Sequence, residues 1–112
     1  MEYDPVSQIV VTPGAMGALY LALKTILNPG DEVIVSEPCW TNYIQQIQMC
    51  GGTAVSVQTD PKRGFDLDVE AIRSAVTDRT RAIILNSPCN PTGAVASREA
   101  LNALAQVAKE FD

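Results

Sequence analysis

The feature that most constrains the fold is a regular alternation of short β-branched runs with segments of helical periodicity. Strand-like runs occur at Ile9–Val11, Glu32–Ser36, Thr53–Val57 and Thr80–Asn86. After each run, apolar residues recur at the i, i+3, i+4 spacing of a helix, in the segments Ala15–Leu27, Trp40–Ile47, Val69–Val76 and Leu101–Ala108. Strands that alternate with helices predict an α/β fold built from βαβ units, with a mostly parallel sheet and right-handed crossovers.

Turn and capping residues place the ends of these elements. Asn28–Asp31 is predicted to end the first helix, and Gly51-Gly52 the second. Asp66 or Asp68 is the predicted cap of the third helix, and Ser97 that of the fourth. Asp60–Gly64 has the composition of an ordinary solvated turn. The first helix is apolar on both faces, which predicts burial on nearly all sides, in part by a second subunit.

Composition limits the class of protein. The chain has 112 residues, enough for one domain, and its 46% hydrophobic and 19% charged residues are typical of a globular protein. A net charge of -5 argues against nucleic acid and anionic membranes as partners. The three cysteines have neither paired spacing nor a histidine to complete a common zinc site, so no metal is expected. They predict reduced thiols in a cytoplasmic protein.

No membrane segment is expected either. The longest apolar stretch, Ala15–Leu27, is short and interrupted by Lys24, and no signal peptide is evident.

The stretch Asn86–Gly93 follows the last apolar run and contains two prolines. Each proline restricts the residue before it, Ser87 or Asn90, to extended conformations, so the Asn90 side chain is held in direction. A rigid loop at the carboxyl end of a buried strand is where an open α/β sheet binds its ligand. Asn-Pro and Thr-Gly are also common turn dipeptides, so a plain turn is the alternative.

Three loops are expected at one edge of the sheet, because the carboxyl ends of parallel strands share an edge. They bring together Gly14, Trp40 and Asn90. Free N–H groups after Gly14, at a helix start, suit a phosphate or carboxylate. Trp40 offers a flat face, and Asn90 can donate and accept hydrogen bonds. The set indicates a planar, phosphorylated, heteroaromatic ligand, unless Trp40 is core packing and Pro13-Gly14 only a cap.

An ordered set of motifs carries a family resemblance. The motifs are Thr12–Leu19, Pro29–Val33, Glu37–Tyr43, Gly51-Gly52 and Asn90–Gly93. In this order and spacing the chain resembles class I/II aminotransferases, fold type I enzymes that use pyridoxal 5'-phosphate (PLP). The resemblance implies a three-layer α/β/α architecture, with residues 1–112 forming part of an aspartate aminotransferase-like large domain. It also implies amino acid and 2-oxo acid substrates and a homodimer.

The resemblance assigns roles to five residues. Backbone groups of Gly14, Ala15 and Met16 match those that lie against the cofactor phosphate. Trp40 matches the aromatic residue that stacks on the pyridine ring, and Asn90 the asparagine that hydrogen-bonds the phenolic oxygen. Tyr43 matches a position that is often aromatic. Cis peptides are implied before Pro38 and Pro91.

No catalytic residue is expected within this chain. In the family, the Schiff-base lysine, the aspartate near the pyridine nitrogen and the substrate-binding arginine lie beyond the Asn90–Gly93 loop, in a downstream half that, like the small domain, is absent here. Lys24, Lys62 and Lys109 do not follow a strand at the binding edge. Downstream strands are also implied between Ile9–Val11 and the other three.

Three other functions are left open. The same loops occur in PLP-dependent carbon–sulfur lyases, and in the aminotransferase-like effector domains of transcription regulators. A small α/β module that binds a phosphorylated metabolite without chemistry is the third.

Overall fold

A three-stranded parallel sheet organises the computed structural model, which describes residues 2–111. The strands are β1 (Glu32–Glu37), β2 (Thr53–Gln58) and β3 (Thr80–Ile84). Their order is β2-β1-β3, and both pairings are parallel. The first residue of β1, Glu32, lies opposite Thr53 on one side and Thr80 on the other. All three strands therefore end at the same edge of the sheet.

Within residues 2–111, four α-helices cover the two faces of this sheet. They are α1 (Gly14–Ile26), α2 (Asn42–Met49), α3 (Val69–Ala75) and α4 (Arg98–Glu110). On one face, Leu23 of α1 and Ile47 of α2 form a core with Val33 and Val35. On the other face, Ile72 of α3 and Leu104 of α4 form a core with Ile34 and Val57. The predicted three-layer α/β/α architecture is confirmed.

Strand β1 joins the two cores. Its side chains alternate between the faces, so that Val33 and Val35 enter one core and Ile34 the other. Their exposures are 0, 1 and 0%. Full burial of one such side chain contributes about 1.5–3 kcal/mol, so this strand is the main source of apolar stabilisation in the sheet.

Side-chain caps fix the starts of two helices. Asp68 accepts a hydrogen bond from Ala71 N at 3.0 Å and caps α3, while Ser97 accepts one from Ala100 N at 3.1 Å and caps α4. Asp66, the other candidate for α3, instead accepts from Ser97 N. The predicted cap at Ser97 is confirmed. Of the two aspartates predicted as alternatives, Asp68 is the one that caps α3. The predicted turn at Asp60–Gly64 contains a short 3-10 helix, Pro61–Arg63.

The strand predicted at Ile9–Val11 is wrong. These residues form no strand, and their exposures are 55, 80 and 93%. A strand satisfies its backbone groups only when another strand pairs with it, and none does so among residues 2–111. Two boundaries also shift. Strand β3 ends at Ile84 rather than Asn86, and α2 begins at Asn42 rather than Trp40.

Within the chain itself the first helix is not buried on nearly all sides, and the contribution expected from a second subunit stays a prediction. Leu23 is the buried residue of α1, whereas Leu21 and Ile26 are 50 and 47% exposed. In the part of the chain described, α1 packs against the rest of the protein along one side only. The apolar residues on its opposite side are exposed to solvent.

The outer edge of β3 is open. Among residues 2–111, β3 pairs only with β1, and a groove of about 830 Å³ runs between β3 and α4. Leu85, Leu101 and Phe111 line this groove and are each more than a third exposed. No helix in the described range is long and apolar enough to cross a bilayer.

Candidate functional site

The loop that follows β3 is closed on itself by backbone hydrogen bonds. Cys89 N donates to Ala94 O at 2.8 Å, and Gly93 N donates to Cys89 O at 2.7 Å. Gly93 has φ 73°, a left-handed conformation that favours glycine. Within the described residues, the exposed Asn90 side chain has no hydrogen-bond partner. The loop therefore holds the Asn90 amide at its surface with its donors and acceptor free.

Cis peptides occur in this loop and in the loop after β1. They precede Pro38 and Pro91, as the resemblance implied, and also Pro88.

The loop after β1 carries Trp40. Its indole is half-buried and meets the Tyr43 ring edge to face, with centroids 5.7 Å apart and planes at 87°. This arrangement is one of the favoured aromatic geometries. Trp40 is thus held by a neighbour on the next turn of the chain without being enclosed in the core, which leaves part of the ring accessible.

The two loops touch each other. The Cys89 thiol donates to Pro38 O at 3.4 Å, which links the Asn90 loop to the Trp40 loop. A small cavity of about 40 Å³ lies at this junction, lined by residues of both loops and of the strand ends that include Cys39, Tyr43, Asn86, Cys89 and Thr92. Gly14, Trp40 and Asn90 are not among its lining residues, although Trp40 contacts Tyr43 and Asn90 adjoins Cys89.

The ionisable groups at this junction have shifted pKa values. The shifts favour the neutral forms of Cys39 and Tyr43, which line the cavity, and the ionised form of Glu37. Burial raises the pKa of the Cys39 thiol, and the nearby Glu37 adds to the effect. Burial likewise raises the pKa of the Tyr43 hydroxyl. The Ser56 hydroxyl and then the Gln58 amide lower the pKa of Glu37 by donating to its carboxylate, each at 2.7 Å. At neutral pH, Cys39 and Tyr43 are therefore hydrogen-bond donors rather than anions.

The start of α1 is open. Pro13 precedes the helix without a side-chain cap, and no acidic residue lies in the first turn. Gly14 has φ 77°, and a Cβ built there meets no atom within 4 Å. Gly14 N donates to Thr12 O at 2.8 Å, which leaves the N–H groups of the following residues of the turn to bind an anion, aided by the helix dipole. The chemistry of this turn therefore fits a phosphate group.

A hydrogen bond ties this turn to the neighbouring helix. Gln46 of α2 donates from Nε2 to Met16 O, in the first turn of α1, at 3.0 Å. Because α2 begins two residues after Trp40, the start of α1 and the Trp40 loop are held through one helix. The three predicted loops are thus connected by two contacts, Met16 to Gln46 and Pro38 to Cys89.

Comparison with known proteins identifies the family. The sequence signature of aminotransferase class I and II matches residues 1–112. The chain belongs to this aminotransferase family. The aminotransferase chain is 48% identical over 105 residues to the aspartate/prephenate aminotransferase of Thermus thermophilus, an alignment that covers 94% of this chain and 27% of that protein.

Solved structures agree with this aminotransferase assignment. The N-succinyldiaminopimelate aminotransferase of Mycobacterium tuberculosis superimposes with a TM-score of 0.94 at 45% identity, covering 99% of this chain and 29% of that one. The aspartate aminotransferase of Thermus thermophilus, solved with maleate, gives a TM-score of 0.83 at 49% identity, covering 85% and 25%. The aminotransferase chain thus spans between a quarter and a third of the length of these relatives.

Several residues at the site of this aminotransferase chain lay outside the predicted set. Tyr43, Cys89 and Gln46 make the contacts that hold its loops together. Tyr43 lies three residues after Trp40, and this helical spacing is the one signal that could have indicated their contact. Lys24, Lys62 and Lys109 do not line the cavity, and residues 2–111 contain no cluster of three potential metal ligands.

Proposed function

We propose that the protein containing this chain is a PLP-dependent aminotransferase that transfers an amino group between an amino acid and a 2-oxo acid. Residues 1–112 are proposed as part of its large domain, with the Schiff-base lysine and the small domain supplied by sequence beyond them. Family membership supports the reaction class. When bound, PLP supplies an electron sink that weakens bonds to the α-carbon of the amino acid.

Each predicted site residue has a binding role in this proposal. Backbone groups of Gly14, Ala15 and Met16 lie against the phosphate, which the open and acid-free start of α1 supports. Gly14 N donates to Thr12 O at 2.8 Å, so N–H donation to the phosphate falls to Ala15 and Met16. Trp40 stacks on the pyridine ring, consistent with a side chain that is only half-buried. Asn90 hydrogen-bonds the phenolic oxygen through its unpartnered amide. These residues bind and orient the cofactor, and none of them moves the α-proton.

The observation that carries the proposal is the linkage of the three loops. Met16 lies in the first turn of α1, and Trp40 and Asn90 lie in the loops after β1 and β3. The bonds from Gln46 to Met16 O and from Cys89 to Pro38 O link these three segments. A packing role alone would not require an unpartnered amide, a half-buried indole and a helix start without a side-chain cap on segments that are linked in this way.

The reaction is tested with the complete polypeptide that contains this chain. Incubation with PLP, an amino donor and a 2-oxo acid should yield the exchanged amino acid and 2-oxo acid, identified by mass spectrometry. The 112-residue chain alone should give no turnover. Cleavage of a carbon–sulfur bond without amino transfer would instead identify a lyase, and transaminase turnover by the isolated chain would contradict its assignment as an incomplete domain.

The cofactor roles are tested by substitution in the complete polypeptide. Trp40→Ala should weaken PLP binding about fivefold, since aromatic stacking contributes on the order of 1 kcal/mol beyond area burial. Trp40→Phe is the matched control and should retain most of the affinity. Equal PLP affinity in wild type and Trp40→Ala would favour packing as the role of the indole. Asn90→Ala should shift the pH dependence of the cofactor's visible absorbance, and an unchanged titration would remove its proposed hydrogen bond.

The aminotransferase names of the relatives favour this function over the lyase and regulator alternatives. We also place the protein in the cytoplasm as a homodimer. Three free cysteines support a reducing compartment, and the outward-facing apolar side of α1 supports a subunit contact. Light scattering on the complete polypeptide checks the dimer, and a monomer at micromolar concentration would contradict it.

A further inference from the structure

Gln46 is a buried polar side chain at the junction of α1 and α2. It is 8% exposed, and its Nε2 donates to Met16 O at 3.0 Å across 30 residues of sequence. A backbone carbonyl can only accept, so the amide nitrogen faces Met16 and the amide oxygen faces elsewhere. The side chain of Gln46 therefore has one defined orientation.

The other half of this amide is not satisfied. Gln46 Oε1 is buried, and no residue in the described range 2–111 donates to it. A buried acceptor without a partner is destabilising, whereas an apolar side chain of similar length would avoid that loss. Since Oε1 has no bond, the feature that glutamine adds at this position is the bond to Met16 O.

Local bonds shape this turn, since Gly14 N donates to Thr12 O and Thr12 Oγ1 donates to Gly14 O, each at 2.8 Å. Within residues 2–111, the bond from Gln46 Nε2 to Met16 O is the hydrogen bond that joins the backbone of this turn to another helix. The first turn of α1 has no side-chain cap, and Gly14 and Ala15 are exposed. Residues 2–11, which precede it, are exposed throughout. The Trp40 loop, in contrast, leads directly into α2, the helix that carries Gln46. The hydrogen bond thus sets the position of the Met16 turn relative to the Trp40 loop.

We propose that Gln46 is a positioning residue for the cofactor phosphate. It fixes the Met16 turn so that phosphate and pyridine ring are bound at the correct separation, without contacting the cofactor itself. The inference rests on the proposed function, because it takes the Met16 turn as the phosphate site. It assigns to a residue of α2 a role that the spacing of the motifs does not indicate.

The test compares two ligands that differ only in the phosphate. The complete polypeptide is prepared without cofactor as wild type and as Gln46→Met, and its dissociation constants for PLP and for pyridoxal are measured by fluorescence titration. Gln46→Met should weaken PLP about three- to tenfold, the effect of one hydrogen bond, and leave pyridoxal affinity unchanged. Gln46→Glu, which removes the donor and adds a negative charge, should weaken PLP further.

Matched controls lie on the same helix. Gln45 and Gln48 are exposed residues of α2, so Gln45→Met and Gln48→Met should leave both affinities unchanged. The midpoint of thermal unfolding of the cofactor-free protein provides a second measurement. Gln46→Met should keep or raise it, since the substitution also removes the unpaired Oε1.

Each other outcome overturns the proposal. Equal loss of PLP and pyridoxal affinity, together with a lower unfolding midpoint, would mean that Gln46 supports the fold in general. Unchanged PLP affinity would mean that its bond does not position the phosphate turn. Wild-type protein that fails to bind PLP at all would contradict the proposed function, and this inference with it, and the control titrations distinguish that failure from the other two.

Discussion

Two runs of β-branched residues in this chain have nearly the same composition, but one forms a buried strand and the other forms no strand. Val33, Ile34 and Val35 lie in the central strand with exposures of 0, 0 and 1%, whereas Ile9, Val10 and Val11 form no strand and are 55, 80 and 93% exposed. The first run has a paired strand on each side and a core on each face. The second has no paired strand among residues 2–111.

The difference shows that strand propensity is a property of context. Val and Ile favour a pleated, half-buried surface, but the backbone of an extended segment still needs a neighbour to accept its hydrogen bonds. Local sequence indicated both runs equally well. Val33–Val35 form a strand because β2 and β3 pair with them, and Ile9–Val11 do not because no strand among residues 2–111 pairs with them.

The largest expected difference between the two runs is in stability. Ile34→Ala should lower the free energy of unfolding of the 112-residue chain by about 2–5 kcal/mol, because it opens a cavity in a core. Val10→Ala should change it by less than about 0.5 kcal/mol, as an exposed substitution does. Urea denaturation followed by circular dichroism measures both. Similar losses for the two variants would mean that Ile9–Val11 is packed in solution.

A second, smaller effect concerns Gly52, the residue directly before β2. A Cβ added to Gly52 would lie 3.0 Å from Leu27 Cδ1, 3.1 Å from Ile47 Cγ2 and 3.2 Å from Asp31 O. Gly52→Ala should therefore cost about 1–3 kcal/mol through overpacking, again read by urea denaturation. In a Leu27→Ala background, where the nearest contact is gone, the cost should be smaller. An unchanged cost would place the strain at the two remaining contacts, Ile47 Cγ2 and Asp31 O.

The smallest expected effect is on how the stability of the fold depends on pH, through Glu32, the first residue of β1. The Thr77 hydroxyl, and then Arg79, lower the pKa of Glu32 in the folded protein. Its carboxylate therefore stabilises the fold above the pKa of the unfolded chain, and this stabilisation is lost as the pH falls through the folded pKa.

The measurement is the stability difference between wild type and Glu32→Gln from about pH 6 to about pH 3. It should shrink as the pH falls. Thr77→Val should reproduce part of the change, since it removes the principal hydrogen-bond donor to Glu32 Oε2. A difference that stays constant with pH would contradict the lowered pKa.

Sequence periodicity predicted the fold where local and tertiary requirements agree. The strands at Glu32, Thr53 and Thr80, their helices and the cap at Ser97 follow from patterns within a few residues. It failed at Ile9–Val11, where the outcome depends on a partner distant in sequence. It also predicted burial on both faces of α1, of which the chain itself supplies one, because apolar residues on both faces do not specify what covers them.

The candidate site was predictable to a lesser degree. The open start of α1 and the rigid loop around Asn90 follow from glycine and proline positions, and the structure has both features. The contacts between the loops do not follow in this way. Gln45, Gln46 and Gln48 are indistinguishable in sequence, and only the packing of α2 on α1 shows that Gln46 faces Met16. The joint binding of one cofactor by Gly14, Trp40 and Asn90 stays a prediction.

The open side of β3 has a practical consequence for work with this polypeptide. Amide and carbonyl groups along that side have no paired strand in residues 2–111, and an apolar groove lies beside them. An unpaired strand edge of this kind is a template for pairing with another chain. Copies of the chain at high concentration should therefore add to one another strand by strand and precipitate. A short soluble peptide that occupies this side, supplied during refolding, would act as a cap and keep the preparation monodisperse.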